Sequence, residues 1–114
     1  MDIKVEQKED LTFIYISGRL DATTAPQLET ELDKVAESPG SHAIITLKEL
    51  LYVSSAGLRV LLSFAKKVQP QGAALFFCGL EGSVKGVFEI SGFYSLFKVF
   101  STIEEAVAAA GKGV

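Results

Sequence analysis

The sequence lacks tryptophan, and its 114 residues include one cysteine, one histidine, one methionine and three prolines. A single cysteine excludes an intramolecular disulfide, and a single histidine leaves no spacing typical of a metal site, so we expect neither a metal nor another cofactor. Because Cys78 ends the apolar run 75–78, we expect it to be a small buried residue in a strand. We predict that His42, which follows a Gly-Ser pair, lies in an exposed turn.

The sequence also lacks a long apolar run and any concentration of basic residues. Eleven Lys and Arg against fourteen Asp and Glu give a net charge of −3, without the basic stripe typical of nucleic-acid binding. No apolar run approaches the ~20 residues that span a bilayer, and Met1–Lys4 does not have the basic-then-apolar order of a signal peptide. We therefore expect no nucleic-acid partner, no membrane association and a cytoplasmic location.

What the sequence does contain is enough apolar material for one core. Its hydrophobic fraction of 48% and charged fraction of 22% are ordinary for a globular protein. The length suits one domain, and no linker, internal repeat or low-complexity tract divides it. We predict a single domain over residues 1–114.

Apolar periodicity predicts strands that alternate with helices. Two adjacent strands, 3–7 and 11–16, are separated by a turn at Glu9-Asp10. Later strands are predicted at 43–47, continuing through 50–53, at 73–78 and at 96–100. Since helices separate the later strands, the fold class is α/β, with a mixed, mostly parallel sheet of four to five strands and about four helices.

The helices are predicted from apolar stripes and from residues typical of helix ends. The first begins at Thr24, where Thr24 and Gln27 have capping-box spacing, and ends at 38–40. The third ends at Gly92, and Thr102 with Glu105 repeats the capping-box spacing before a last helix that frays at 111–113. The predicted inward-facing residues are Ala25, Leu28, Leu32, Val35 and Ala36 in the first helix; Leu58, Leu61, Leu62, Ala65 and Val68 in the second; Val84, Val87 and Phe88 in the third; and Ile103, Ala106, Val107 and Ala110 in the last.

The segment most informative about function is 50–62, a strand that ends in Ser54-Ser55 at the start of the second helix. Free backbone N–H groups and the helix dipole stabilise an anion at this place, so a phosphoserine is tolerated there. Arg59, four residues after Ser55, lies on the same helix face and is placed to pair with a phosphate. Purely structural roles are open as well: Ser54 as an N-cap, Gly57 as a site of close packing, and Leu58 as a core residue.

The segment 52–62 resembles the signature of the STAS domain, which anti-sigma factor antagonists and related regulators share. Two further segments agree with this resemblance: 18–21, similar to the family's early loop, and 84–93 with 97–100, similar to its third helix and last strand. The resemblance covers nearly the whole chain. It implies a non-enzymatic, cytoplasmic binding protein that docks on an anti-sigma factor with serine kinase activity and is released when that kinase phosphorylates it.

The resemblance also implies which residues carry this function. The family's phosphorylated serine falls on Ser55, and the acidic residue of its early loop falls on Asp21. Many members have Asp immediately before the phosphorylated serine, where this sequence has Ser54, so Ser54 is a second candidate acceptor. We expect Asp21, Ser54, Ser55, Gly57 and Arg59 to form the partner-binding site, and a serine phosphatase to reset the switch.

Several alternatives remain open. The released partner could be a phosphatase, a secretion regulator or part of a signalling complex instead of a sigma factor. A hydrolase with Ser55 as nucleophile has thin support, since no Gly-x-Ser-x-Gly motif is present. A nucleotide site lacks support because 79–82 has neither the ending of a phosphate loop nor dinucleotide glycine spacing. The oligomeric state is undetermined, and Phe93, Tyr94 and Leu96 belong either to a partner face or to core and neutral surface.

Overall fold

The computed structural model describes residues 1–38, 40 and 42–111. These residues form six strands and five α-helices, with a short 3₁₀ helix at Gln69–Gln71. In chain order the elements are β1 (Asp2–Lys8), β2 (Leu11–Leu20), α1 (Ala25–Ala36), β3 (His42–Thr46), β4 (Leu50–Val53), α2 (Ser55–Val68), β5 (Ala74–Cys78), α3 (Gly82–Ser91), α4 (Phe93–Leu96), β6 (Lys98–Phe100) and α5 (Ile103–Gly111).

The strands form one mixed, mostly parallel sheet, which confirms the predicted fold class. β1 is antiparallel to β2, and the sheet order is β1-β2-β3-β5-β6. β2 pairs in parallel with β3 over 11–15 and then with β4 over 18–20. β4 therefore continues along β2 beyond the end of β3, and this position carries Ser54 and Ser55 to the carboxyl end of β2.

The core lies on both faces of this sheet. On one face, side chains of α1, α2, α3 and α4 pack against the strands, with Leu28, Phe64, Phe88 and Phe93 among the buried residues. On the other face, α5 contributes Ala106 and Ala110 to a smaller cluster. Cys78 is fully buried in that smaller cluster, so its predicted place in a strand is confirmed.

The stripe of α2 differs in part from the prediction. Leu61 and Val68 are buried as predicted, but the other buried positions are Gly57 and Phe64. Leu58, Leu62 and Ala65 are half-buried at the margin of the core. The stripe is rotated because the Phe64 ring occupies the centre of the core and the helix approaches the sheet at Gly57.

The first predicted capping box is wrong in its hydrogen bonds. Thr24 is the N-cap of α1, but its side chain makes no capping hydrogen bond to the helix. Its hydroxyl instead donates to the carbonyl of Arg19 at 2.9 Å and accepts from the N–H of Asp21 at 2.9 Å. Thr24 therefore closes the loop between β2 and α1.

The predicted last strand is too long. Phe93–Leu96 forms the short helix α4, in which the N–H of Phe97 donates to the carbonyl of Phe93 at 2.9 Å, and β6 covers only Lys98–Phe100. Gly92 ends α3 as predicted, in the left-handed conformation with φ of 80°. This turn directs Phe93 into the core, which starts α4 and shortens the strand.

Three other predictions concern turns and chain ends. The second predicted strand, 11–16, is too short, because β2 continues to Leu20. His42 is the first residue of β3, not part of an exposed turn, and its half-buried ring stacks on Phe76 with 5.4 Å between centroids. Of the predicted fraying segment, 112–113 lies outside the described residues. Among those described, no helix is both long and apolar enough to cross a membrane.

Candidate functional site

Ser54 is held at the junction between the sheet and α2. Its N–H donates to the carbonyl of Leu20 at 2.9 Å, which extends the pairing of β4 with β2 by one residue. Its side chain is the N-cap of α2, where Oγ accepts the N–H of Gly57 at 3.4 Å. Ser54 is half-buried. Its hydroxyl therefore has a structural role at the start of the helix.

Ser55 has the opposite environment. It is the first residue of α2, and its side chain is exposed. Within the described part of the chain, no hydrogen bond engages its hydroxyl, and no acceptor is found for the backbone N–H groups of Ser55 and Ala56. The start of α2 thus combines a free hydroxyl with two unsatisfied donors and the positive end of the helix dipole.

Arg59 lies one helical turn after Ser55, on the same face, and is exposed. It forms no ion pair with any carboxylate of residues 1–38, 40 and 42–111. The guanidinium group is therefore available to an anion at Ser55, as the helical spacing predicts.

Asp21 lies directly after the strand residue that binds Ser54, so the loop 21–24 adjoins the start of α2. Its Oδ1 accepts from the hydroxyl of Thr23 at 2.7 Å, the N–H of Thr23 at 3.0 Å and the N–H of Thr24 at 3.3 Å. These hydrogen bonds, that of the Thr23 hydroxyl above all, lower the pKa of Asp21 below its usual value. Asp21 is therefore an ionised residue that organises its own loop.

Gly57 is buried at the closest approach of α2 to the sheet. A Cβ atom at this position would lie 2.5 Å from Cγ of Leu20 and 3.1 Å from Cγ2 of Val53. The glycine therefore lets α2 pack directly on β2 and β4. Because it is buried, any contribution of Gly57 to partner binding comes through the position of its exposed neighbours.

Two further residues, not predicted from the sequence, lie beside the start of α2. Arg19 and Tyr52 lie opposite each other on β2 and β4, and the Arg19 guanidinium carbon is 4.4 Å from the centroid of the Tyr52 ring. Both side chains reach solvent. The pairing of β2 with β4 was not predicted from the sequence, and without it these residues give no sign of being neighbours.

The position of His42 bears on the hydrolase alternative. His42 begins β3, whereas Ser55 follows β4, which runs in the same direction farther along β2. The histidine and the serine therefore lie toward opposite ends of the sheet. A serine nucleophile needs a base within hydrogen-bond reach, and His42 is not placed to act as that base.

The sequence and structure of this protein match a known family. The STAS domain family matches residues 2–106. BtrV of Bordetella bronchiseptica, provisionally named an anti-sigma factor antagonist, is 36% identical over 109 residues, which are 96% of this chain and 94% of BtrV. The anti-sigma-B factor antagonist of Bacillus subtilis is 30% identical over 107 residues, covering 94% of this chain and 97% of that protein.

A solved structure shares the fold at low sequence identity. The anti-sigma factor antagonist SpoIIAA in its unphosphorylated form superposes with a TM-score of 0.75 at 14% identity, over 99% of this chain and all of SpoIIAA. The phosphorylated form of SpoIIAA, from Bacillus, gives a TM-score of 0.72 at 17% identity, over 95% of this chain and 98% of that chain. With the family match over most of its length, this chain belongs to the STAS domain family.

Proposed function

We propose that this protein is an anti-sigma factor antagonist that regulates transcription in the cytoplasm by partner switching. Unphosphorylated, it binds an anti-sigma factor that has serine kinase activity, and a sigma factor is thereby released. Phosphorylation of Ser55 ends the binding, and a serine phosphatase restores it. The names of the B. subtilis relative and of BtrV support the antagonist function.

The observation that carries this proposal is the contrast between the two serines. The Ser54 hydroxyl caps α2 and is half-buried, whereas the Ser55 hydroxyl is exposed on the first residue of the helix. A kinase must approach the acceptor oxygen in line with its nucleotide, so an exposed hydroxyl without a hydrogen-bond partner suits transfer better than a capping one. This contrast favours Ser55 over Ser54.

A phosphate on Ser55 would be stable where it forms and unfavourable to a docked partner. The free N–H groups of the first turn and the Arg59 guanidinium favour the charged group locally. The same modification adds a charge of about −1.5 to −2 to the surface near Asp21, Tyr52 and Arg59. The phosphate also pairs with the Arg59 guanidinium, which is then no longer available to the partner. A partner surface complementary to the uncharged hydroxyl would then be repelled by the phosphate. It would also lose its contact with the Arg59 guanidinium.

The first experiment locates the phosphate. The protein is incubated with ATP and each candidate anti-sigma kinase from the same genome, and phosphopeptides are mapped by mass spectrometry. We expect one phosphate on Ser55 in the wild type and in Ser54→Ala, and none in Ser55→Ala. Phosphate that persists in Ser55→Ala and disappears in Ser54→Ala would transfer the acceptor role to Ser54.

The second experiment measures binding to the kinase that modifies the protein. We expect Ser55→Ala to bind as tightly as the wild type and Ser55→Asp to bind at least tenfold more weakly. Ser54→Asp serves as the matched control, because it adds the same charge one residue away while an Asp side chain can still cap α2. Equal affinities of Ser55→Ala and Ser55→Asp would refute the switch.

A further inference from the structure

A groove lies at the end of α2 that is farthest from Ser55. Its volume is about 340 Å³, and its walls come from the C-terminal half of α2 and from the connection between α4 and β6. The floor is Ala73 and the start of β5 at Ala74 and Leu75. Because α2 has 14 residues and an α-helix rises about 1.5 Å per residue, the groove extends along the helix axis from roughly 10 Å beyond Ser55, at Leu62, to roughly 20 Å, at Gln69.

The groove offers apolar surface to a partner. Leu96 at the end of α4 is 62% exposed, and among the described leucines Leu51, at 72%, is more exposed. Leu62 and Ala65 on the facing side of α2 are half-buried. The pairing of β5 with β6 begins only at Phe76, so the floor of the groove lies beyond the end of that ladder.

Both charged residues that line the groove are positive. Lys66 and Lys98 line it, and no carboxylate does so within the described residues. This is notable in a protein with a net charge of −3. The neighbouring Lys67 is paired with Asp33, but neither Lys66 nor Lys98 forms an ion pair inside the described ranges. Lys66 also offsets the dipole at the end of α2, whereas Lys98 on a strand has no such role.

We propose that this groove is a second docking site, which binds a protein segment that carries an aliphatic or aromatic side chain flanked by Asp or Glu. The apolar side chain packs between Leu62 and Leu96, and the flanking carboxylates pair with Lys66 and Lys98. Such binding weakens as salt screens the exposed charges. Since the groove is formed by the half of α2 that lies away from Ser55, the protein can hold a second partner whatever the state of the serine.

The test is an NMR titration of the full chain with a short synthetic peptide in which leucine and phenylalanine alternate with glutamate. We expect amide shifts at Ala74, Leu96 and Lys98, and an affinity that falls with added salt. The double variant Lys66→Glu/Lys98→Glu should lose at least tenfold in affinity. Lys34→Glu is the control, because it changes the charge of an exposed lysine on α1, where Lys34 pairs with Glu31 at 3.5 Å.

Two further measurements keep the result interpretable. A peptide with lysine in place of glutamate should not bind the wild type, which tests the charge requirement without any variant. Ser55→Asp should bind the acidic peptide with unchanged affinity, which separates this site from the proposed switch. The proposal is wrong if the acidic peptide causes no shifts, or if it binds the double variant as well as the wild type. It is also wrong if a fatty acid, decanoate, shifts these amides and the peptide does not.

Discussion

At the scale of single residues, Gly57 decides how closely α2 approaches the sheet. A helix is usually more stable with alanine than with glycine at an interior position, by roughly 0.5–1 kcal/mol. Here the added methyl group would lie 2.5 Å from Cγ of Leu20. We therefore expect Gly57→Ala to lower the free energy of unfolding in urea by about 1–3 kcal/mol.

Gly86 provides the matched control for that prediction. It lies inside α3, and a Cβ atom there would meet no heavy atom within 4 Å. Gly86→Ala should therefore raise the free energy of unfolding by about 0.5–1 kcal/mol. A Gly57→Ala protein as stable as Gly86→Ala would show that α2 can move away from Leu20 without cost.

The two serines should also differ in how much their replacement by alanine lowers the free energy of unfolding. Ser54→Ala removes the N-cap of α2 and should cost about 0.5–1 kcal/mol, the lower part of the usual range, because the capping hydrogen bond is long at 3.4 Å. Ser55→Ala removes an exposed hydroxyl and should change the free energy of unfolding by less than about 0.5 kcal/mol. Urea denaturation of both variants checks this. Equal losses in the free energy of unfolding would contradict the assignment of Ser54 as the helix cap and Ser55 as the free acceptor.

The loop at Asp21 should respond to pH. The Thr23 hydroxyl is the main cause of the lowered pKa of Asp21. A carboxylate with a lowered pKa in the folded state stabilises the loop at pH values above its ordinary pKa of about 3.9. That contribution is lost as the pH falls through the lowered value.

We therefore expect Thr23→Val to raise the pKa of Asp21 toward its ordinary value, measured by ¹³C NMR of the carboxyl group during a pH titration. Thr30→Val is the control, because the Thr30 hydroxyl donates to the carbonyl of Pro26 on α1, not to Asp21. An Asp21 pKa that did not differ between the wild type and Thr23→Val would show that the backbone donors and the Thr24 hydroxyl set it without Thr23.

At the scale of elements, the start of α5 determines how well the second face of the sheet is covered. The N–H of Glu105 donates to the hydroxyl of Thr102 at 3.1 Å, and the Glu105 carboxylate accepts the N–H of Ser101 at 3.0 Å. The predicted capping box is thus present, with Glu105 reaching one residue farther back than in the usual form. α5 brings Ala106 and Ala110 onto Phe76 and Cys78.

Thr102→Ala should therefore loosen α5. We expect a loss of about 0.5–2 kcal/mol in the free energy of unfolding, together with faster hydrogen exchange at the amides of α5. Thr24→Ala is the informative comparison, because Thr24 occupies an N-cap position without capping α1 and instead closes the loop to Arg19. Exchange rates in α5 that stay at the wild-type value in Thr102→Ala would contradict the prediction.

Sequence periodicity predicted the elements well where a local pattern determines them. Capping residues, β-branched runs and Gly92 located most helices and strands to within a few residues. It did not predict features that depend on distant contacts. The pairing of β4 with the end of β2, the neighbourhood of Arg19 and Tyr52, and the inward position of Phe64 all depend on how elements pack. α4 was missed because Phe93 enters the core, which no local pattern indicates.

The candidate site divides in the same way. The positions of Ser54, Ser55 and Arg59 on α2 follow from helical spacing, so the sequence predicted them. The nearness of Asp21 to these residues came from family resemblance, and the structure supplies its physical basis in the hydrogen bond from Ser54 to Leu20. The roles of these residues in partner binding and phosphorylation remain predictions.

At the scale of the whole molecule, phosphorylation should change the surface charge without changing the fold. A phosphate on Ser55 would take the net charge from −3 to about −5. The modified residue is exposed at a helix N-terminus, and the core on both faces of the sheet does not include it. SpoIIAA keeps a fold similar to this chain in both its unphosphorylated and its phosphorylated forms, with TM-scores of 0.75 and 0.72.

We therefore expect amide NMR shifts on phosphorylation to be confined to the first turn of α2, the loop 21–24 and the adjoining strand ends. The melting temperature should stay equal or rise slightly, because the helix dipole favours the phosphate by roughly 0.3–1 kcal/mol. Ser55→Asp should reproduce these changes at smaller size, since it carries less charge. Shifts that spread to β5 and α5, or a clear fall in melting temperature, would mean that the switch acts by rearranging the core instead of by changing the docking surface.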